Sequence, residues 1–232
     1  LNIIPKFAEP GETVLPSVFM PPLYAYFIYS IKVLSPNFVN YVTLIIAIQI
    51  IISLISIYIF YKILKNFYSI NTTLISTVVF SLIPLNIYSS VQVSSISLQI
   101  FLLVFYFYFV FNFSETNKIK HLIFFSFFSP LLILIRGEFI LFYIFTLIYF
   151  LIFLKKNIKA LIISLIISTI IISPYLKRNY ENFDKYFILT KSFGYNLLKG
   201  NNPETRVEGY VNLKKLNFKK DFLIEPNNHY EI

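Results

Sequence analysis

"NFYSINTTLISTVVFSLIPLNIYSSVQVSSISLQIFLLVFYFYFVFNFS", Asn66 to Ser114, contains no charged residue. Wound as one helix it would reach ~74 Å, more than twice the ~30 Å thickness of a bilayer's hydrocarbon core, so it has to cross twice and turn in between. The turn is expected near "NIYSSVQVSS", Asn86 to Ser95, where polar side chains gather. Neither half alternates apolar and polar residues as a barrel strand does. Backbone groups in lipid must be bonded within their own segment, so the fold class is all-α, a polytopic transmembrane helix bundle.

The same pattern continues on both sides. Val33 to Tyr61 is uncharged, as are Leu122 to Ile135, Phe139 to Leu154 and Ala160 to Leu176. Some of these runs are short for a crossing unless their polar flanks snorkel. Five spans are expected between Phe38 and Pro174, with Pro174 breaking the last helix. A further apolar helix, "PPLYAYFIYSIKVL" from Pro21 to Leu34, opens on helix-initiating prolines and holds Lys32; it reads as interfacial, or equally as the end of a tilted span. The expected organisation is residues 1–21 as the remainder of a first external loop, 22–174 as the bundle, and 175–232 as an external, substrate-facing segment.

Composition agrees. The 232 residues are 57% hydrophobic and 13% charged, with a mean hydropathy of +0.71, which excludes an ordinary soluble domain. With no cysteine and two histidines, neither a disulfide nor a metal site is supplied, and no cofactor is expected. The net charge of +9 comes from lysines scattered over short loops and a tail rather than gathered on one face, so nucleic acid is not an expected partner. The chain starts at Leu1 without an initiator Met and reads as a piece of a longer protein, truncated at both ends.

Orientation follows from the basic residues. Lys62 and Lys65, Lys118 and Lys120, and Lys155, Lys156 and Lys159 fall on one side, against Lys6, Lys32 and Arg136 on the other; Lys177 and Arg178 oppose this bias. The lysine loops are therefore expected inside. The N-terminal segment, the Asn86 to Ser95 turn, the Arg136-Gly137-Glu138 turn and the tail from Tyr175 then face outward together.

Between Pro21 and Pro174 there are two acidic residues. Glu115, in "SETNKIK", belongs to an ordinary polar loop. Glu138 follows Arg136 by two residues in "LLILIRGEFILFY", close to the bilayer boundary, where ionisable groups are costly and usually face a cavity or each other. This pair has two readings: a hairpin turn whose arginine snorkels to headgroups, or a planar cationic fork for a phosphate, held by Glu138. "SPYLKRNYENFDKYF" then places Lys177 and Arg178 within a turn of the membrane surface, where cations meet lipid phosphates. "FGYNLLKGNNPE" packs Gly194, Gly200, three asparagines and Pro203 into a tight polar element.

A span ending in proline, then "KRNY" about fifteen residues before "GYNLLKGNNP", resembles the bacterial branch of the family 39 glycosyltransferases. These are similar to the dolichyl-phosphate-mannose protein mannosyltransferases and the aminoarabinose transferase of lipid A, within the GT-C superfamily. "MPPLYAYF" resembles the Pro-Pro-Leu-Tyr that follows that family's first external loop, and "LIRGEF" resembles its "LxRPE" helix turn. The matches occur in the family's order over most of the chain.

The resemblance implies a bacterial inner-membrane enzyme that moves a sugar from a polyprenyl-phosphate donor to a lipid, glycan or protein acceptor at the outer face. It assigns donor phosphate or sugar binding to Arg136, Glu138, Lys177, Arg178 and Asn179, and to Tyr195, Asn196, Asn201 and Asn202 of the polar block. The catalytic acid is expected a few residues before Leu1, so the piece alone is expected to be inactive; Glu9 and Glu12 are not promoted to that role. The turn after the third apolar segment carries an acidic residue in relatives, where "QVSSIS" offers Gln92 and serines. The alternative is a transporter or flippase component, in which an Arg/Glu pair lines a translocation path. It calls for pseudo-symmetric halves and discontinuous helices, and the chain has no internal repeat and five glycines.

Overall fold

The computed structural model describes residues 20–36, 40–155, 158–182 and 189–190. Eight helices and no strand occur among them: α1 (Leu23–Leu34), α2 (Tyr41–Lys65), α3 (Ile70–Ser81), α4 (Pro84–Ser90), α5 (Ser95–Thr116), α6 (Ile119–Ile135), α7 (Phe139–Ile152) and α8 (Ile158–Asn182). The protein is an all-α membrane bundle. Its contacts divide it into two compact units, Pro22–Pro174 and a second made of Leu1–Pro21 with Tyr175–Ile232.

Short polar residues set the helix ends. Asn40 accepts the Val42 N–H through its side chain at 2.9 Å to open α2, and Ser94 does the same for Ile96 at 3.3 Å to open α5. Asn117 closes α5 in the left-handed region, φ 54°, with its N–H on the Phe113 carbonyl at 3.1 Å. That turn holds the "SETNKIK" loop tight, although Glu115 itself lies in the last turn of α5 rather than in the loop.

Within the first unit α5 is the central helix, with α2 and α6 packed along it, α3 against α2, and α1 touching both α2 and α6. Lipid is as apolar as leucine, so close packing rather than water exclusion joins these helices. The contact is largely aromatic: Tyr106, Phe125 and Phe150 are fully buried, and the Phe125 ring lies 5.3 Å from Tyr106 and 5.6 Å from Phe150. The opposite faces show Leu54, Phe145 and Ile170, each more than 60% exposed, as helices facing lipid must.

Three expectations change. Five spans were expected between Phe38 and Pro174; there, three helices (α2, α5, α8) are long and apolar enough to cross alone, and α3 with α4 makes a fourth bent by 54°. Helices α6 and α7 are shorter apolar helices of 17 and 14 residues. The turn expected over Asn86 to Ser95 is narrower, because α4 keeps Asn86 to Ser90 helical and only Val91 to Ser94 lie between α4 and α5.

Pro174 does not break its helix: α8 continues to Asn182. A proline has no N–H for the carbonyl four residues back, which in water usually ends a helix. Each of the three helical prolines has that carbonyl taken by a side chain. Ser173 Oγ donates to the Ile170 carbonyl at 3.0 Å below Pro174, Asn86 Nδ2 to the Phe80 carbonyl at 2.9 Å below Pro84, and Ser168 Oγ to the Ser126 carbonyl at 3.1 Å below Pro130. With the freed acceptor satisfied, the bent or straight helix is stable in lipid.

Candidate functional site

Arg136 caps the C-terminus of α6 with extended backbone, φ −151° and ψ 117°, and its N–H still bonds the Leu132 carbonyl at 3.0 Å. Gly137 makes the corner. Glu138 is the N-cap of α7, where the helix dipole favours a carboxylate, and the Phe139 N–H returns to the Arg136 carbonyl at 3.1 Å. The corner folds the two side chains together: Arg136 Nε meets Glu138 Oε1 at 2.8 Å, with the side chains 50% and 60% exposed.

So open an ion pair contributes on the order of 0–1 kcal/mol to stability. What it does is orient. The contact is made through Nε, and a guanidinium carries four more N–H groups on its terminal nitrogens, in a plane that suits two oxygens of a phosphate. A neutralised, oriented arginine at the end of a membrane helix can bind an anion without immobilising a long free side chain.

The turn is braced from below. Tyr106 of α5 donates to the Phe142 carbonyl in α7 at 3.1 Å and meets the Thr146 hydroxyl. The Tyr143 hydroxyl meets Ser164 Oγ of α8 at 2.9 Å, and Ser168 Oγ lies 3.1 Å from the same phenol. With Ser168 Oγ also donating to the Ser126 carbonyl of α6, helices α5, α6, α7 and α8 are stitched by hydroxyls that sit among apolar residues. None of these stood out in the sequence; the available signal was the row of Ser and Thr inside uncharged runs.

The second unit holds the other described site residues. Lys177 pairs with Glu181 at 3.8 Å, one helical turn on, and both are exposed. Arg178 Nη1 donates to Asn179 Oδ1 at 2.9 Å, and Asn179 is completely buried, so it fixes the arginine's direction. Tyr175 is buried and its hydroxyl donates to the Leu189 carbonyl at 3.1 Å. Tyr195, Asn196, Asn201 and Asn202 lie outside the described residues, as do Lys6, Glu9 and Glu12. Among the described residues no group of three His, Cys, Asp or Glu is placed to hold a metal ion.

The residue missed most plainly is Gln49. It is completely buried in α2, donates to the Ser89 and Ser94 carbonyls at 3.2 and 2.8 Å, and lies 3.4 Å from the Tyr24 hydroxyl. Tyr24 belongs to the "PPLYAYF" stretch at the start of α1.

A family model described as dolichyl-phosphate-mannose-protein mannosyltransferase matches residues 20–177, roughly two thirds of the chain. The match includes Arg136, Glu138 and Lys177 and stops before Arg178. No curated protein and no solved structure matches the chain.

Proposed function

The chain belongs to the dolichyl-phosphate-mannose-protein mannosyltransferase family, a family of membrane glycosyltransferases, and on that premise we propose which substrates it uses and how. The donor is a polyprenyl-phosphate sugar, and the acceptor is a hydroxyl or phosphate on a lipid, glycan or protein at the outer face of a bacterial inner membrane. The acceptor oxygen bonds to the anomeric carbon while the bond from that carbon to the phosphate oxygen breaks. The electron pair leaves with the phosphate, and the acceptor proton passes to a base.

Charge decides where the protein helps. The leaving polyprenyl phosphate gains negative charge during the step, so a cation beside it stabilises the transition state more than the bound donor. The observation that carries this reading is the Arg136–Glu138 pair, held in fixed orientation by the α6–α7 corner. In this reading Arg136 takes the phosphate through its terminal nitrogens, and Glu138 keeps the guanidinium aimed or accepts from a sugar hydroxyl. Lys177 and Arg178, the latter directed by buried Asn179, are proposed within their own unit as cations for lipid phosphate.

The test is transfer from a radiolabelled polyprenyl-phosphate sugar by the purified full-length protein and its variants. Arg136→Ala is expected to lower turnover on the order of a hundredfold, as removal of a transition-state charge partner does. Glu138→Gln should lower it less, since the arginine remains. Equal turnover in wild type and Arg136→Ala would remove the arginine from the reaction.

A further inference from the structure

A glutamine inside a 25-residue apolar helix has to find partners, because an unbonded amide in lipid is costly. Gln49 finds them on three other stretches of chain. Its two N–H groups go to Ser89, in the last turn of α4, and to Ser94, the N-cap of α5; its oxygen faces the Tyr24 hydroxyl of α1. The last carbonyls of a helix have no donor of their own. The carboxamide therefore closes the end of α4 and clamps both shoulders of the Val91 to Ser94 turn. A second link reinforces it, from Ser97 Oγ to Ser89 Oγ at 3.2 Å.

The height of this clamp matters. Gln49 stands eight residues into α2, so the turn is held about 12 Å along the helix from its Tyr41 end. Irregular backbone at membrane depth is tolerated only where protein covers it or where it lines a water-filled cavity. Val91, Gln92 and Val93 are exposed, so none of the described residues covers them.

We propose that Gln49 is a positioning residue for sugar transfer. It holds the Val91 to Ser94 turn as the recessed, water-facing floor on which the hydroxyl-bearing head of the substrate rests. This rests on the transferase reading for its kinetic consequence, whereas the access of water to the turn is tested apart from it.

These 232 residues hold no cysteine, so Val93→Cys introduces the one thiol among them, and any cysteine elsewhere in the full-length protein is replaced by serine first. In the protein reconstituted in vesicles, that thiol is expected to react with a membrane-impermeant maleimide. Gln49→Met, which keeps length and loses the amide, should change the labelling rate about tenfold, the scale of one to two buried hydrogen bonds. Gln49→Glu, which turns a carboxylate toward two carbonyl oxygens, should change it further. With the polyprenyl-phosphate sugar as substrate, Gln49→Met should raise KM about tenfold with kcat within about threefold.

A thiol at position 93 that the maleimide never reaches overturns the proposal, and so does a labelling rate unaltered by Gln49→Met. An equal fall in kcat with KM unchanged would also overturn it. If the full-length wild type consumes no polyprenyl-phosphate sugar, the transferase reading fails while the labelling result still decides the role of Gln49.

Discussion

Ser168 Oγ of α8 donates to the backbone carbonyl of Ser126 in α6 at 3.1 Å, and that carbonyl is the acceptor Pro130 leaves without its backbone partner. A defect in one helix is thus repaired by a side chain from another. The repair is also a joint, because Ser168 Oγ lies 3.1 Å from the Tyr143 hydroxyl and so links α6, α7 and α8 at one point.

This joint predicts coupling between two residues 38 positions apart. Ser168→Ala should cost about 1 kcal/mol, the scale of hydrogen bonds between membrane helices. In a Pro130→Ala background the restored N–H can serve Ser126, and the same substitution should cost close to nothing. Unfolding in mixed micelles, read as a double-mutant cycle, checks this; additive losses would mean that the serine does not serve the proline's carbonyl.

Tyr106 offers a separation of hydrogen bond from volume. It is 1% exposed and donates to the Phe142 carbonyl. Tyr106→Phe should cost about 1 kcal/mol, and Tyr106→Ala about 3–5 kcal/mol through the cavity it leaves. Unfolding of the two variants side by side is the measurement.

For Arg136 the expected signature is activity lost without stability lost. The half-exposed pair with Glu138 contributes at most about 1 kcal/mol, so Arg136→Ala should unfold within that distance of wild type. Arg136→Lys keeps the charge and loses the planar fork, and should recover part of the turnover but not all of it. Thermal unfolding and sugar transfer measured on the same preparations test both halves.

Much of this bundle was legible because lipid imposes a simple rule. The uncharged runs around α2, α5 and α8 had to be helices, and the charged "RGE" between two apolar runs had to be a corner between two helices. The rule failed where a side chain does a backbone's work. Pro174 read as a helix end because proline breaks helices in water, and nothing in its own position announced that Ser173 would take the Ile170 carbonyl. Asn86 read as a turn residue, yet it lies in α4 and its amide donates to the Phe80 carbonyl of α3 across the bend at Pro84. Gln49 carried a signal that was passed over: a lone carboxamide inside an apolar helix needs partners, and its partners are 25, 40 and 45 residues away. Pairings at that distance come from packing, which a local pattern does not contain.

The measurement that tests the central claim most directly follows the leaving group. Incubate the full-length protein in a bilayer with a polyprenyl-phosphate sugar and an acceptor-containing membrane extract, and quantify polyprenyl phosphate as it forms. Polyprenyl phosphate appearing in step with transferred sugar, and strongly reduced by Arg136→Ala, is the predicted result. Sugar transfer without release of polyprenyl phosphate, or no consumption of the donor at all, would contradict it.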